Sequence, residues 1–325
     1  MSSIKKEQNI IAPVPKDAIL AELTPDKFVR HTNYAGNDIY VFSHQDSPNL
    51  MKEVGRLREL TFRNAGGGTG QETDIDEYDI SDDPYNQLIV WDPSHEEILG
   101  GYRFYIPQQG AKGSEIVDRL STSHLFRFSE KFQNEYMPSM IELGRSFVQP
   151  AYQSTNRARK GIFALDNLWD GLGALKVDHP YIKYFFGKVT MYTHFNKNAR
   201  NLILYFLNKH FGDRENLLTT LHPITDGYSE EEMKLIFKTN DYKENYKILS
   251  KGVRSYKENI PPLINAYMNL SPTMKSFGTA INDEFGSVEE TALLITNEDL
   301  YADKVNRHIN NYKRLNYYLK KRKMF

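Results

Sequence analysis

The chain has 325 residues, with 41 Lys+Arg against 42 Asp+Glu, a net charge of -1 and a pI near 6.8. That balance excludes bulk nucleic-acid binding, which needs a basic excess to displace phosphate counterions, and no nucleic-acid partner is expected. Cysteine is absent, which rules out disulfide scaffolds, thiolate zinc sites and a cysteine nucleophile.

In chain order, residues 1 to about 37 read as a leader that lies across the surface or is partly mobile. Their opening is polar and broken by Pro13 and Pro15, unlike a signal peptide. IYVFSH at 39–44 reads as a strand. Residues 48–63 place Leu50, Val54, Leu57 and Leu60 or Thr61 at helical spacing. The run AGGGTG at 65–70 stops this helix, since successive glycines are too costly in backbone entropy. It lacks the Lys and Ser/Thr of a phosphate loop and reads as a lid or a turn. After an acidic loop, NQLIVWD and EILGGYRFYI predict a hairpin turning around Asp92–Glu96. MIELGRSFVQP at 140–150 is a further strand, 161–175 a buried helix, 181–191 a strand and 193–211 a helix. Residues 279–296 predict two strands flanking a turn at Asn282–Ser287. The last 25 residues carry eight Lys/Arg and one Asp, as a basic helix. The order of elements predicts an α/β (α+β) domain with a mixed sheet over 38–300, and a terminal helix over 301–325. No stretch approaches the roughly 18 apolar residues that span a bilayer. The nine histidines include no H-x-x-x-H or H-E-x-x-H pair, and no metal site is expected.

Charged residues gather at strand positions and in the acidic loop: Arg58, Asp76, Asp79, Arg103, Glu142 and Arg145. A Glu within the apolar MIELGRSFV strand must be paired or functional, because an isolated buried carboxylate is costly. In an ideal strand, 142, 144, 146 and 148 share one face and 143, 145 and 147 the other. Glu142 and Arg145 therefore diverge unless a bulge near Gly144 re-aims one of them. A buried ion-pair network that merely fixes the sheet is the alternative to a catalytic cluster.

The ordered blocks RELTF at 58–62, DEYD at 76–79, GYR at 101–103 and ELGRSF at 142–147 resemble the acyl-homoserine-lactone synthases. They resemble more closely the lipid-making relatives of those enzymes, GNAT-superfamily N-acyltransferases that make lyso-ornithine and lyso-glycine lipids and are often labelled hemolysins. YFFGKVTM at 184–191 and IPPLINAYMNLSP at 260–272 followed by INDEFGSVEETALLI carry the closer likeness, which runs from about Leu50 to Ile295. The resemblance implies a GNAT-like fold with a C-terminal elaboration. It implies transfer of a long, 3-hydroxylated acyl chain from an acyl-carrier-protein thioester to the α-amine of glycine or ornithine. An acyl-CoA donor, an acylated-signal synthase, and a non-enzymatic membrane-associated protein remain as alternatives.

By the same resemblance, Glu142 is the general base, with Arg145 and Arg103 beside it. Arg58, Phe62, Asp76, Asp79 and Phe147 bind substrate, and one arginine could hold the acceptor carboxylate. Ornithine would need a further acid for its second amine, from Asp74, Glu77, Asp283 or Glu284. The donor side departs from the acetyl-CoA pattern Q/R-x-x-G-x-G/A: residues 153–161 keep only Gly161. Arg157, Arg159 and Lys160 instead form a basic patch suited to the phosphopantetheine phosphate of an acidic carrier protein. Phe147, Phe163, Trp169, Tyr184, Phe185 and Phe186 are either core or lining for an acyl channel. The basic C-terminus suggests peripheral contact with an anionic bilayer, and a cytoplasmic location at the inner membrane face.

Overall fold

A computed structural model describes residues 7–153, 161 and 163–313. The ten strands among them are β1 (Phe28–His31), β2 (Asp38–Phe42), β3 (Asn86–Asp92), β4 (Glu97–Tyr105), β5 (Phe126–Phe128), β6 (Met140–Val148), β7 (Tyr184–Met191), β8 (Leu218–Thr220), β9 (Lys275–Asn282) and β10 (Val288–Thr296). They fall into two compact units. One comprises Met1–Ile106, Ile141–Ile182 and Tyr301–Phe325, and the other Pro107–Met140 and Lys183–Leu300.

In the first unit β1, β2, β3, β4 and β6 pair in that order, every ladder antiparallel. β3 and β4 are buried along almost their whole length, because both of their faces are covered. The Ala164–Asp178 helix takes one face. Gly171 brings it so near that a Cβ there would lie 2.7 Å from Leu88 Cδ1, and Tyr102 Oη donates to Leu168 O. The Pro48–Asn64 helix serves the other face. Leu50, Val54, Leu57 and Thr61 are buried as the spacing predicts, and Leu60 is half-buried. Arg58 of this helix reaches Gln87 of β3. Strand alternation thus sorts the chemistry: the Leu88–Tyr102 pair faces one helix, and the Gln87–Arg103 pair faces the charged side.

The described part of the stretch expected as a leader, residues 7–37, is built into this unit. Lys16–Glu22 forms a helix, β1 pairs with β2, and Glu22 accepts from the backbone N–H groups of Asn49 and Leu50 at the start of the next helix. The glycine run is a folded turn around Glu59, a fully buried carboxylate that accepts from Thr69 N, Thr69 Oγ1 and Gly70 N at 2.8–2.9 Å. The described part of the basic C-terminus packs onto the Ala164–Asp178 helix. His308 Nδ1 pairs with Asp170 at 2.7 Å, Arg307 bridges Asp166 at 2.7 Å, and Tyr312 Oη donates to Asp178. Residues 314–325 lie outside the described residues.

The second unit holds the antiparallel trio β7, β10 and β9 and the small pair β5–β8. The Lys197–Phe211 helix packs against β9 and the Tyr242–Ser255 helix. Phe132 is fully buried and stacks on Phe128 and Tyr136, with Phe186 and Phe277 edge-on. Phe186 thus packs within this cluster, and Phe185 is buried as well. Among the described residues no helix is long and apolar enough to cross a membrane. Truncating the centre of the aromatic cluster, Phe132→Ala, is expected to cost about 3–5 kcal/mol of stability, read by chemical denaturation.

Candidate active site

Four elements of the first unit supply the charged side chains. The Pro48–Asn64 helix presents Arg58, the loop after it Asp74, Asp76 and Asp79, β4 Arg103, and β6 Glu142 and Arg145. The loop is tied to the helix by the bond from Asp74 N to Gly55 O, at 3.0 Å. Gly55 permits this approach, since a Cβ there would lie 2.5 Å from Ile75 Cγ1. Asp76 then caps the short Glu77–Ile80 helix: its Oδ1 accepts from Tyr78 N, and Asp79 Oδ2 accepts from Asp76 N. A single turn of helix aims two carboxylates the same way.

The arginines alternate with these acids. Arg58 donates from Nε to Asp74 (3.1 Å), from Nη1 to Asp79 and Gln87 (3.3 Å each), and from Nη2 to Asp79 (2.9 Å). Arg103 Nη1 lies 2.5 Å from Asp76 and 3.1 Å from Asp79. Arg145 Nε lies 2.9 Å from Asp74, and its Nη2 3.5 Å from Asp76. Arg58, Asp74, Asp79 and Arg103 are buried; Asp76, with 28% of its side chain exposed, and Arg145, with 12%, mark the solvent side. Burial alone would raise the carboxyl of Asp74, but Arg145 and Arg58 hold it below its ordinary value. Asp79 is likewise pushed up by burial and driven further down by Arg58 and Arg103. Burial would weaken the Arg103 cation, yet Asp79 and Asp76 bind its proton more firmly than usual.

β6 brings its two charged residues into this cluster by the irregularity anticipated in the sequence. Arg103, Phe104 and Tyr105 of β4 pair with Gly144, Leu143 and Glu142, whereas Gly101 pairs with Phe147. Two residues of β4 thus span three of β6, so the bulged strand carries one extra residue. Arg145 takes φ = 51°, a left-handed conformation rare for a side chain of its size, and its guanidinium reaches Asp74. Phe147 returns to the Glu142 face and is buried; Phe62 is buried near the end of the Pro48–Asn64 helix. Gly144, Arg145 and Ser146, together with the terminal Val148, are half-buried in a strand whose other residues are covered.

Glu142 is fully buried, and Tyr85 Oη donates to its Oε2. The Tyr85 ring stacks on Tyr105, meets Tyr78 edge-on and lies under the Arg103 guanidinium at 5.2 Å. Tyr85, Gln87 and Asp74 are members of the site that sequence reasoning left unassigned. Asp74 was visible as an acid in the right loop. Tyr85 carried no signal beyond its place at the start of β3.

The donor-side residues fare differently. Arg157, Arg159 and Lys160 lie outside the described residues. Gly161 stands before the Ala164–Asp178 helix, where a Cβ would lie 1.9 Å from Tyr152 O, so only glycine fits that crossing. Asp283 and Glu284 occupy the turn between β9 and β10 in the second unit.

Residues 57–160 match the family model described as an acetyltransferase (GNAT) domain. The chain is 55% identical over 305 residues to a protein of Bacteroides thetaiotaomicron named glycine N(alpha)-acyltransferase, covering 94% of this chain and 90% of that one. It is 54% identical to a protein of the same name from Phocaeicola vulgatus, covering 94% of each. Among solved structures it is similar to an aminoglycoside 6'-N-acetyltransferase complexed with coenzyme A, with a TM-score of 0.35 and 13% identity over 79% of this chain and 96% of that one.

Asp74 and Asp79 titrate below their unfolded values, so the stability they lend is complete above about pH 4 and is lost as the pH falls further. Arg58→Met leaves both carboxylates short of a counter-charge and should cost about 3–5 kcal/mol at neutral pH. It should also flatten the acid limb of stability, as denaturation series between about pH 3 and 7 would show.

Proposed function

We propose that this chain, which belongs to the N-acyltransferases of the GNAT superfamily, moves a long acyl chain from a thioester to the α-amine of glycine. The observation that carries this reading is a fully buried Glu142 on a bulged strand, beside acids already held by arginines. The name that both relatives carry, glycine N(alpha)-acyltransferase, supports glycine as the acceptor here.

The chemistry divides among the residues as follows. A glycine ammonium must lose a proton before its nitrogen can attack a carbonyl. Asp74 and Asp79 are poor acceptors, because their arginines hold them ionised. Glu142 takes that proton, its carboxylate oriented by the Tyr85 hydroxyl. The freed nitrogen attacks the thioester carbon, and the backbone of the 143–148 strand polarises the thioester carbonyl. Collapse breaks the C–S bond, and the nitrogen's second surplus proton passes to the departing thiolate, which leaves as the thiol. Transfer is direct, a reading supported by the absence of a cysteine that could exchange with the thioester.

Within this reading the donor is a 3-hydroxyacyl chain on acyl carrier protein, with acyl-CoA as the alternative thioester. Arg157, Arg159, Lys160 and Gly161 would meet the phosphopantetheine phosphate. The product is a lyso-aminolipid made in the cytoplasm. Release into an anionic leaflet is supported by the basic surplus of residues 301–325.

Purified protein given glycine and either acyl carrier protein thioester or acyl-CoA should yield N-acylglycine, detected by mass spectrometry. Glu142→Gln keeps a carbonyl oxygen for Tyr85 and should lower turnover by about 10²-fold or more with the melting curve preserved. Wild-type turnover in that variant removes Glu142 from the mechanism.

A further inference from the structure

The three arginines of the cluster are not equally committed. Arg58 spends all three nitrogens on Asp74, Asp79 and Gln87. Arg145 directs Nε to Asp74 and Nη2 to Asp76. Arg103 sends Nη1 into the acids, while its Nε is buried with no hydrogen-bond partner among the described residues. A buried N–H left unmatched costs as much as a lost hydrogen bond, so in a cluster otherwise well supplied it marks where an acceptor group arrives. Covalent geometry adds a second donor. Nε–H and one N–H of Nη2 point the same way along one edge of the guanidinium, the fork that matches a carboxylate.

We propose that Arg103 holds the carboxylate of the amino-acid acceptor, with Nε as its first donor. This rests on the reading above, in which Glu142 takes the acceptor's proton. Arg103 pairs with Gly144, and Tyr105 with Glu142. Arg103 and Glu142 therefore share a face of the sheet as diagonal neighbours, with Cα atoms about 7 Å apart. An α-amino acid, whose ammonium and carboxylate are joined through one carbon, spans from the Glu142 carboxylate to the Arg103 fork. Gly144 puts no side chain opposite Arg103, and the half-buried bulge at 144–146 gives the approach. Tyr85 ties the two ends together, with its ring under Arg103 and its hydroxyl on Glu142. Asp76 and Asp79 repel a second carboxylate but sit on Nη1, away from the Nε edge. The specificity this implies is for a free α-carboxylate at one-carbon spacing.

The test compares glycine, glycinamide and β-alanine as acceptors for the wild type and Arg103→Lys, with one acyl thioester donor. Glycinamide's amine is the less basic and so the more deprotonated at neutral pH, and intrinsic reactivity favours it. A preference for glycine must therefore come from the site. The wild type should use glycine about 10²-fold or more better than glycinamide or β-alanine, by kcat/KM. In Arg103→Lys the KM for glycine should rise by a similar factor, and the preference over glycinamide should fall to a few-fold. An unchanged glycine-to-glycinamide ratio in the variant overturns the assignment. So does a wild type that accepts both alike, which needs no variant to fold and leaves acyl transfer itself standing. No acylated amine from any acceptor overturns both this assignment and the reading it rests on.

Discussion

Six buried or nearly buried charges in alternation, Asp79, Arg58, Asp74, Arg145, Asp76 and Arg103, are the constraint on which the rest of this site depends. Each carboxylate is touched by two guanidiniums, and the sum of charge is zero. Any one of these groups alone in an apolar interior would be strongly destabilising, whereas the closed set removes most of that penalty. Its geometric effect is larger than its energetic one. It joins the Pro48–Asn64 helix, the acidic loop, β4 and β6, four elements far apart in sequence, and no member can shift without stranding a partner. Such a network holds its four elements in one fixed arrangement.

The bulge in β6 depends on the same network. A left-handed backbone at Arg145 is unfavourable by itself, and the ion pair with Asp74 helps hold the residue in place. In return the bulge reverses the alternation of the strand, so that Glu142, Gly144 and Phe147 share a face and the 144–146 backbone opens toward solvent. Regular pairing would have turned Phe147 away from Glu142. Backbone strain, buried charge and access thus meet within four residues.

Much of this was legible in the sequence, and the missing parts have physical causes. Helical spacing located the buried face of Pro48–Asn64, and alternation in MIELGRSFV posed the conflict that only a bulge resolves. The types Arg58, Asp76, Asp79, Arg103 and Glu142, each out of place in an apolar element or concentrated in one loop, identified the cluster. What could not be read was partnership. Glu59 looks like an ordinary helical surface acid, yet it is buried and organises the glycine turn. Tyr85 looks like a strand aromatic, and only the fold places its hydroxyl on Glu142. β1 is a four-residue strand whose pairing with β2 is a tertiary fact.

Division of labour among like residues is the last step that sequence could not take. Three arginines and three aspartates of one cluster are chemically alike, and composition gives no reason to prefer any of them. Burial and hydrogen-bond accounting separate them. Asp74 and Asp79 are held ionised by paired guanidiniums, whereas the Glu142 carboxylate meets a phenol. Arg58 is saturated and so serves structure, while Arg103 keeps a buried donor unspent. Members of a charge-balanced network take on different functions according to how completely their neighbours satisfy them.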